Sequence, residues 1–137
     1  MKKIKRIVVL FFLFMTFISC NKKNKLKGIF ISSKDYYWQY NDECHPNGGL
    51  GSINFKFDDK GLSHQYSLGA TKGYALVEGE SLAAETWSIK NDSILTWGNR
   101  DYTINHIDKR LIVLVYKDSN NKDKNCVIRL LKVVDDK

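Results

Sequence analysis

The sequence predicts an all-β domain, an antiparallel up-and-down meander of short strands that closes into a barrel. Three observations carry this. From Ile53 to Val134, apolar residues recur at every second position in short bursts. Turn-forming clusters such as Asp58-Asp59-Lys60-Gly61, Lys90-Asn91-Asp92 and Gly98-Asn99 separate the bursts. No helical period of convincing length intervenes, and closing a meander is the economical way to remove its edges.

The strands follow in order. Gly28-Ile29-Phe30-Ile31 is expected as the first. Ser33 to Asn41 holds Tyr36, Tyr37, Trp38 and Tyr40 and fits either a strand or a short helix. Asn41 to Gly49 is a loop with the chain's single proline, Pro46. Ile53, Phe55 and Phe57 alternate with Asn54 and Lys56 as a half-buried strand. Gly61 can supply the positive φ of the following turn, and Leu62, His64, Tyr66 and Leu68 alternate on the returning strand. Gly73–Glu78, Glu85–Ile89, Ser93–Trp97, Tyr102–His106, Leu111–Lys117 and Cys126–Val134 complete the set. Asp118 to Lys124 is the polar loop before the last strand.

The first 27 residues read differently. Residues 1–19 have the plan of a signal peptide: Lys2, Lys3, Lys5 and Arg6, then an apolar run from Ile7 to Ile18. That run is shorter than the ~20 residues a spanning helix needs. Phe17-Ile18-Ser19-Cys20 resembles the bacterial lipobox, with a small residue before a cysteine. The resemblance implies that Cys20 is lipidated and becomes the N-terminus. Two or more acyl chains there would anchor the protein stably. Residues 20–27 are then a lipidated cysteine and a polar, basic tether. The expected location is the cell envelope, on a membrane and by preference the outer one.

The formal charge of +7 comes from 22 basic and 15 acidic residues. Eight basic residues lie in the signal peptide and tether, which leaves 14 against 15 in the domain from Gly28 to Lys137. That balance argues against a nucleic-acid surface. With Cys20 lipidated, Cys44 and Cys126 have only each other to pair with in an oxidising compartment, or stay as two buried thiols. A bridge between them would close a loop of about 80 residues, an entropic gain of roughly 4–5 kcal/mol at most.

Trp87-Ser88-Ile89-Lys90-Asn91-Asp92-Ser93-Ile94-Leu95, followed by Tyr102-Thr103-Ile104 and Leu111-Ile112-Val113-Leu114, resembles the small lipocalin-like lipoproteins of Bacteroidota-type bacteria. Gly28-x-Phe30 resembles the opening Gly-x-Trp of lipocalins, with Phe in the Trp place. The resemblance implies a barrel of about eight strands, with Arg129 packed over the aromatic ring of Phe30. A domain this short is expected to keep a small or largely filled cavity.

Alternation places His64 beside Leu62 and Tyr66, His106 beside Tyr102 and Ile104, and Glu85 beside Trp87. An interior lined by Tyr66, Trp87, Tyr102, His64, His106 and Arg129 would suit a small hydrophobic or amphipathic ligand. The alternative is a protein-binding inhibitor or immunity lipoprotein acting on an envelope protein through Asn41–Gly49 and Asp118–Lys124. The aromatic cluster from Tyr36 to Tyr40 would fill the barrel or form a binding lip. No cofactor is expected, and no catalytic or metal-ligating residues emerge: nucleophile-elbow, phosphate-loop and metal-ligand spacings are all lacking, and Cys44-His45 is a chance-level pair.

Overall fold

The computed structural model describes residues 24–46, 52–69, 73–77 and 84–135. The expected signal peptide, Cys20, the tether up to residue 23, residues 47–49 of the expected Asn41–Gly49 loop and Glu78 of the expected strand Gly73–Glu78 lie outside them. Among the described residues the chain forms a short helix, α1 (24–30), and nine strands. These are β1 (Tyr36–Asp42), β2 (Ile53–Phe57), β3 (Leu62–Gly69), β4 (Gly73–Leu76), β5 (Glu85–Asn91), β6 (Ile94–Trp97), β7 (Arg100–Ile107), β8 (Leu111–Lys117) and β9 (Asn125–Val134).

All strand pairings are antiparallel. The sheet runs β1-β9-β8-β7-β6-β5-β3-β2 and back to β1, so eight strands close into a barrel. The expected barrel is therefore present, with β4 as an additional strand on β3. β3 changes partner along its length. Leu62 and Ser63 pair with β5, whereas Tyr66 to Gly69 pair with β4. The β3–β5 seam rests on two residue pairs and on the Trp87 amide donating to the Gly61 carbonyl at 2.8 Å. Gly61 has φ 86°, and a Cβ there would lie 3.1 Å from the Trp87 carbonyl oxygen. A side chain at that turn would strain the backbone and press on the seam.

α1 replaces the expected first strand. Leu26 and Phe30 are four residues apart, hence on one helical face, and both are buried. The Ile31 amide donates back to the Lys27 carbonyl at 3.2 Å, and Lys27 Nζ donates to the Asp59 carbonyl at 3.0 Å. The last residues of the expected tether are thus fixed to the barrel. Phe30 packs into one barrel end against Phe57 and Trp87, with ring centroids 5.6 Å away in each case.

The interior is a packed aromatic and aliphatic core. Trp38, Phe57, Trp87, Ile89, Leu95, Trp97, Ile112, Leu114, Tyr116, Ile128 and Leu130 are buried, with Tyr40, Phe55 and Tyr102 packed against them. Phe57 lies near the middle: its ring centroid is 5.4 Å from Trp87 and 5.0 Å from Trp97. Two indole N–H groups find acceptors inside. Trp38 Nε1 donates to the Phe30 carbonyl at 3.0 Å, and Trp97 Nε1 donates to Ser63 Oγ at 2.8 Å. Among the described residues, these side chains occupy the barrel interior.

Truncating the central ring should show how tightly the interior is packed. Phe57→Ala is expected to cost about 3–5 kcal/mol, because the surrounding barrel cannot collapse into the void. Urea unfolding measures it; a loss below about 1 kcal/mol would mean a loosely filled interior.

Candidate functional site

The end opposite α1 carries a buried carboxylate. β1 ends at Asp42, whose side chain is only 4% exposed. Alternation from Trp38 through Tyr40 brings this carboxylate inward, and it is met by four donors. Tyr116 Oη of β8 donates at 2.7 Å and Tyr40 Oη at 3.1 Å. The Cys44 amide donates at 2.9 Å and the His45 amide at 3.4 Å. Burial pushes the Asp42 pKa up, but hydrogen bonds led by Tyr116 and Cys44 outweigh it and hold the carboxyl below its usual range.

His45 Nδ1 lies 3.0 Å from Tyr116 Oη. With the Tyr116 proton directed at Asp42, the consistent assignment has His45 donating to the phenol oxygen. Burial, followed by the bond and charge of Asp42, pushes the Tyr116 phenol up to well above its usual value. Tyr40 is raised for the same two reasons. Both phenols stay protonated near neutral pH. The network joins β1 to β8 across β9 and acts as a tie at the mouth. The Cys44–Cys126 disulfide, with Cα atoms 5.5 Å apart, fastens the same segment to β9.

Beside this tie lies an open cleft of ≈ 310 Å³ between the mouth ends of β7, β8 and β9. Arg100, Asp101, Thr103, Val115, Tyr116, Lys117 and Asn125 line it. The Arg100 guanidinium sits 4.7 Å from the Tyr116 ring centroid, a cation–π contact that orients it. Asp101 is already engaged: it accepts from Lys90 Nζ at 2.6 Å and from Thr96 Oγ1 at 2.8 Å. Those two bonds hold its carboxyl below the usual range. The exposed cations Arg100 and Lys117 therefore set the sign of the cleft.

The residues expected to line the interior divide. Trp87 and Tyr102 point inward and are packed into the core. The others face out. On β3 the inward residue is Ser63, so His64 and Tyr66 lie on the outer face. His64 Nε2 is 3.4 Å from Asp58, and Tyr66 packs on Tyr37, centroid to centroid 5.0 Å. His106 follows a register shift between Ile104 and His106, which turns it outward to Asp108 at 3.0 Å. Arg129 alternates with buried Ile128 and Leu130, faces outward and pairs with Glu43, so it does not cover Phe30. Of the aromatic cluster, Trp38 and Tyr40 fill the barrel, while Tyr37 stacks on Tyr74 outside, with centroids 4.0 Å apart. Glu85 sits exposed at the rim, in contact range of the Gly98 turn.

Asp42, His45, Tyr116 and Arg100 were not foreseen. Tyr116 meets Asp42 and His45 across more than 70 residues of sequence, and Arg100 reaches Tyr116 from the neighbouring strand β7. Comparison with protein-family models, with curated proteins and with solved structures finds no match to this chain.

Two expectations follow for stability. Asp42 has a lowered folded-state pKa, so its contribution is complete above its ordinary value of 3.8 and is lost as pH falls through the folded value. Tyr40 and Tyr116 are raised, so their contribution holds below pH 10 and fades as the unfolded phenols ionise above it. Thermal unfolding should therefore show a plateau between pH 5 and 9 that falls on both sides. Asp42→Asn should cost about 1–3 kcal/mol at pH 7 and flatten the acid limb. An unaltered acid limb in that variant would contradict the tie.

The disulfide spans 82 residues, and the chain-entropy model credits such a loop with roughly 4–5 kcal/mol. Cys44→Ser should lower the melting temperature by several degrees under oxidising conditions. Equal melting of both proteins would mean that the bridge contributes nothing.

Proposed function

We propose that this chain is a lipid-anchored envelope protein with a non-catalytic binding role, and that it holds an acidic segment of another protein in the cleft at its mouth. The observation that carries the reading is the filled interior. Trp38, Phe57, Trp87 and Trp97 occupy the space a barrel-bound ligand would need. Of the six side chains first expected to line a cavity, four lie on the outer face. Binding through the rim is therefore favoured over binding inside.

The cleft supplies the chemistry. Arg100 is pre-oriented by its stack on Tyr116, and Lys117 stands beside it without an ion pair among the described residues. Arg presents a planar fork that matches a carboxylate in two hydrogen bonds. Asp101 does not compete, since Lys90 and Thr96 hold it. Such complementarity steers encounter and fixes orientation.

The anchor reading rests on Lys2 to Arg6, the run from Ile7 to Ile18 and Ser19-Cys20. The lipocalin-like reading draws support from the closed eight-stranded barrel and from the helix carrying Phe30 across one end. On this reading only three residues separate Cys20 from α1. The α1 end would lie against the membrane, and the mouth would face away from it.

Cys20→Ser is expected to move the protein from the membrane fraction to the soluble fraction; retention of that variant on the membrane would refute the anchor. For the mouth, a photo-crosslinking residue at Thr103 is compared with one at Lys109, at the far end. A discrete protein adduct from position 103 alone, abolished by Arg100→Glu with Lys117→Glu, is expected in intact cells. Equal adducts from both positions, or an adduct indifferent to the charge reversal, would overturn the assignment to the cleft.

A further inference from the structure

Three strand ends meet at the barrel mouth beside the Asp42 tie. Cys44 follows β1, Cys126 lies on β9, and Asp118 follows β8. β9 runs between the other two strands, so these residues come together although far apart in sequence. One ligand atom from each, two Sγ and a carboxylate oxygen, lie within 4.8 Å of one another. Cys126 is buried, while Cys44 and Asp118 are half-buried, so the group is walled on one side and open on the other. Asp118 Oδ1 accepts the Asn120 amide at 2.9 Å, which orients the carboxylate.

We propose that in its dithiol form the Cys44–Cys126 pair is a binding site for zinc, with Asp118 as the third protein ligand. The donor set is the argument. Two thiolates and a carboxylate suit a borderline-soft divalent cation that prefers four-coordinate sites, and the open side leaves room for a water. Together they carry three negative charges in a place that is partly removed from water. A divalent cation offsets most of that charge, as a bound metal ion is often the largest local charge in such sites.

The geometry asks for little movement. Two sulfurs on a tetrahedral zinc with Zn–S of about 2.3 Å stand roughly 3.8 Å apart. The sulfurs must separate by about 2 Å from their bonded distance. Cys126 is fixed in β9, whereas Cys44 lies beyond the end of β1, in a bend outside the strand ladder.

The chemistry balances. A dithiol donor delivers two electrons and two protons to the Cys44–Cys126 disulfide, breaks its S–S bond and is itself oxidised to a disulfide. Zinc then displaces the two thiol protons and forms two Zn–S bonds. A disulfide oxidant that accepts two electrons from the thiolates, and is itself reduced to two thiols, would re-form the Cys44–Cys126 bond and release the ion. Disulfide and metal are alternative clasps on the same segment, and both keep the Asp42 tie in place.

The test uses the purified protein, reduced with a phosphine that does not compete for metal, and cobalt(II) as the optical probe. The reduced protein is expected to bind one equivalent of cobalt with a thiolate-to-metal charge-transfer band in the near ultraviolet. Zinc should displace it, and the oxidised protein should show no band. Asp118→Asn leaves both thiols and the disulfide intact. Loss of outer-shell partners alone costs about 10–100-fold in affinity, so loss of this ligand should weaken zinc at least roughly 10-fold. Absence of the charge-transfer band in the reduced protein would overturn the proposal. So would Asp118→Asn binding as tightly as the native protein, or loss of near-ultraviolet circular dichroism on reduction that zinc does not restore.

Discussion

The constraint on which everything else depends is the need to fill a closed eight-stranded barrel. Closure removes the sheet's edges, but it creates an interior that must be packed to the density of any core. Four large rings, Trp38, Phe57, Trp87 and Trp97, do most of this. Their size dictates small partners elsewhere. Ser63 faces inward because the Trp97 indole needs both space and an acceptor there. α1 completes the filling by lowering Phe30 onto Phe57 and Trp87.

The same constraint divides the molecule by role. At the α1 end Phe30 closes the core against Phe57 and Trp87, with Ser63 as a buried polar group beside Phe57. At the mouth, where strands diverge, water must be kept from the aromatic column by groups that tolerate both environments. Tyr40, Tyr102 and Tyr116 do this: each buries a ring and keeps a hydroxyl for a partner. Asp42 gathers two of those hydroxyls, and the disulfide and His45 hold the segment that follows. On the proposed reading, the side chains that fill the core leave binding to the outside, where Arg100 and Lys117 supply the positive charge.

Much of the barrel was legible in the sequence because strict alternation is a strong signal. Leu111–Lys117 has the predicted bounds, since its inward residues Ile112, Leu114 and Tyr116 have no competing period. β3 shows the limit. Leu62, His64, Tyr66 and Leu68 look like a core face, yet they lie outside. The outer surface there is itself aromatic, with Tyr66 against Tyr37 and Tyr37 stacked on Tyr74. When both faces carry bulk, alternation fixes the period and not the sign. His106 was misplaced for another reason: one extra residue in β7 reverses the phase after Ile104. α1 was hidden because Gly28-Ile29-Phe30-Ile31 has strand composition, and only Leu26 and Phe30 mark the helical face. The Asp42 tie could not be read at all. Its members lie in separate elements, and nothing local to Asp42 or Tyr116 announces the other.

The central claim is that the barrel is full and that recognition happens at its rim. Native mass spectrometry of the protein, purified gently from the cells that make it, tests this most directly. The account predicts the mass of the lipidated chain with no small molecule retained under conditions that preserve the fold. A stoichiometric extra mass of a few hundred daltons, released only on unfolding, would contradict it and place a ligand where Phe57 and the tryptophans now stand.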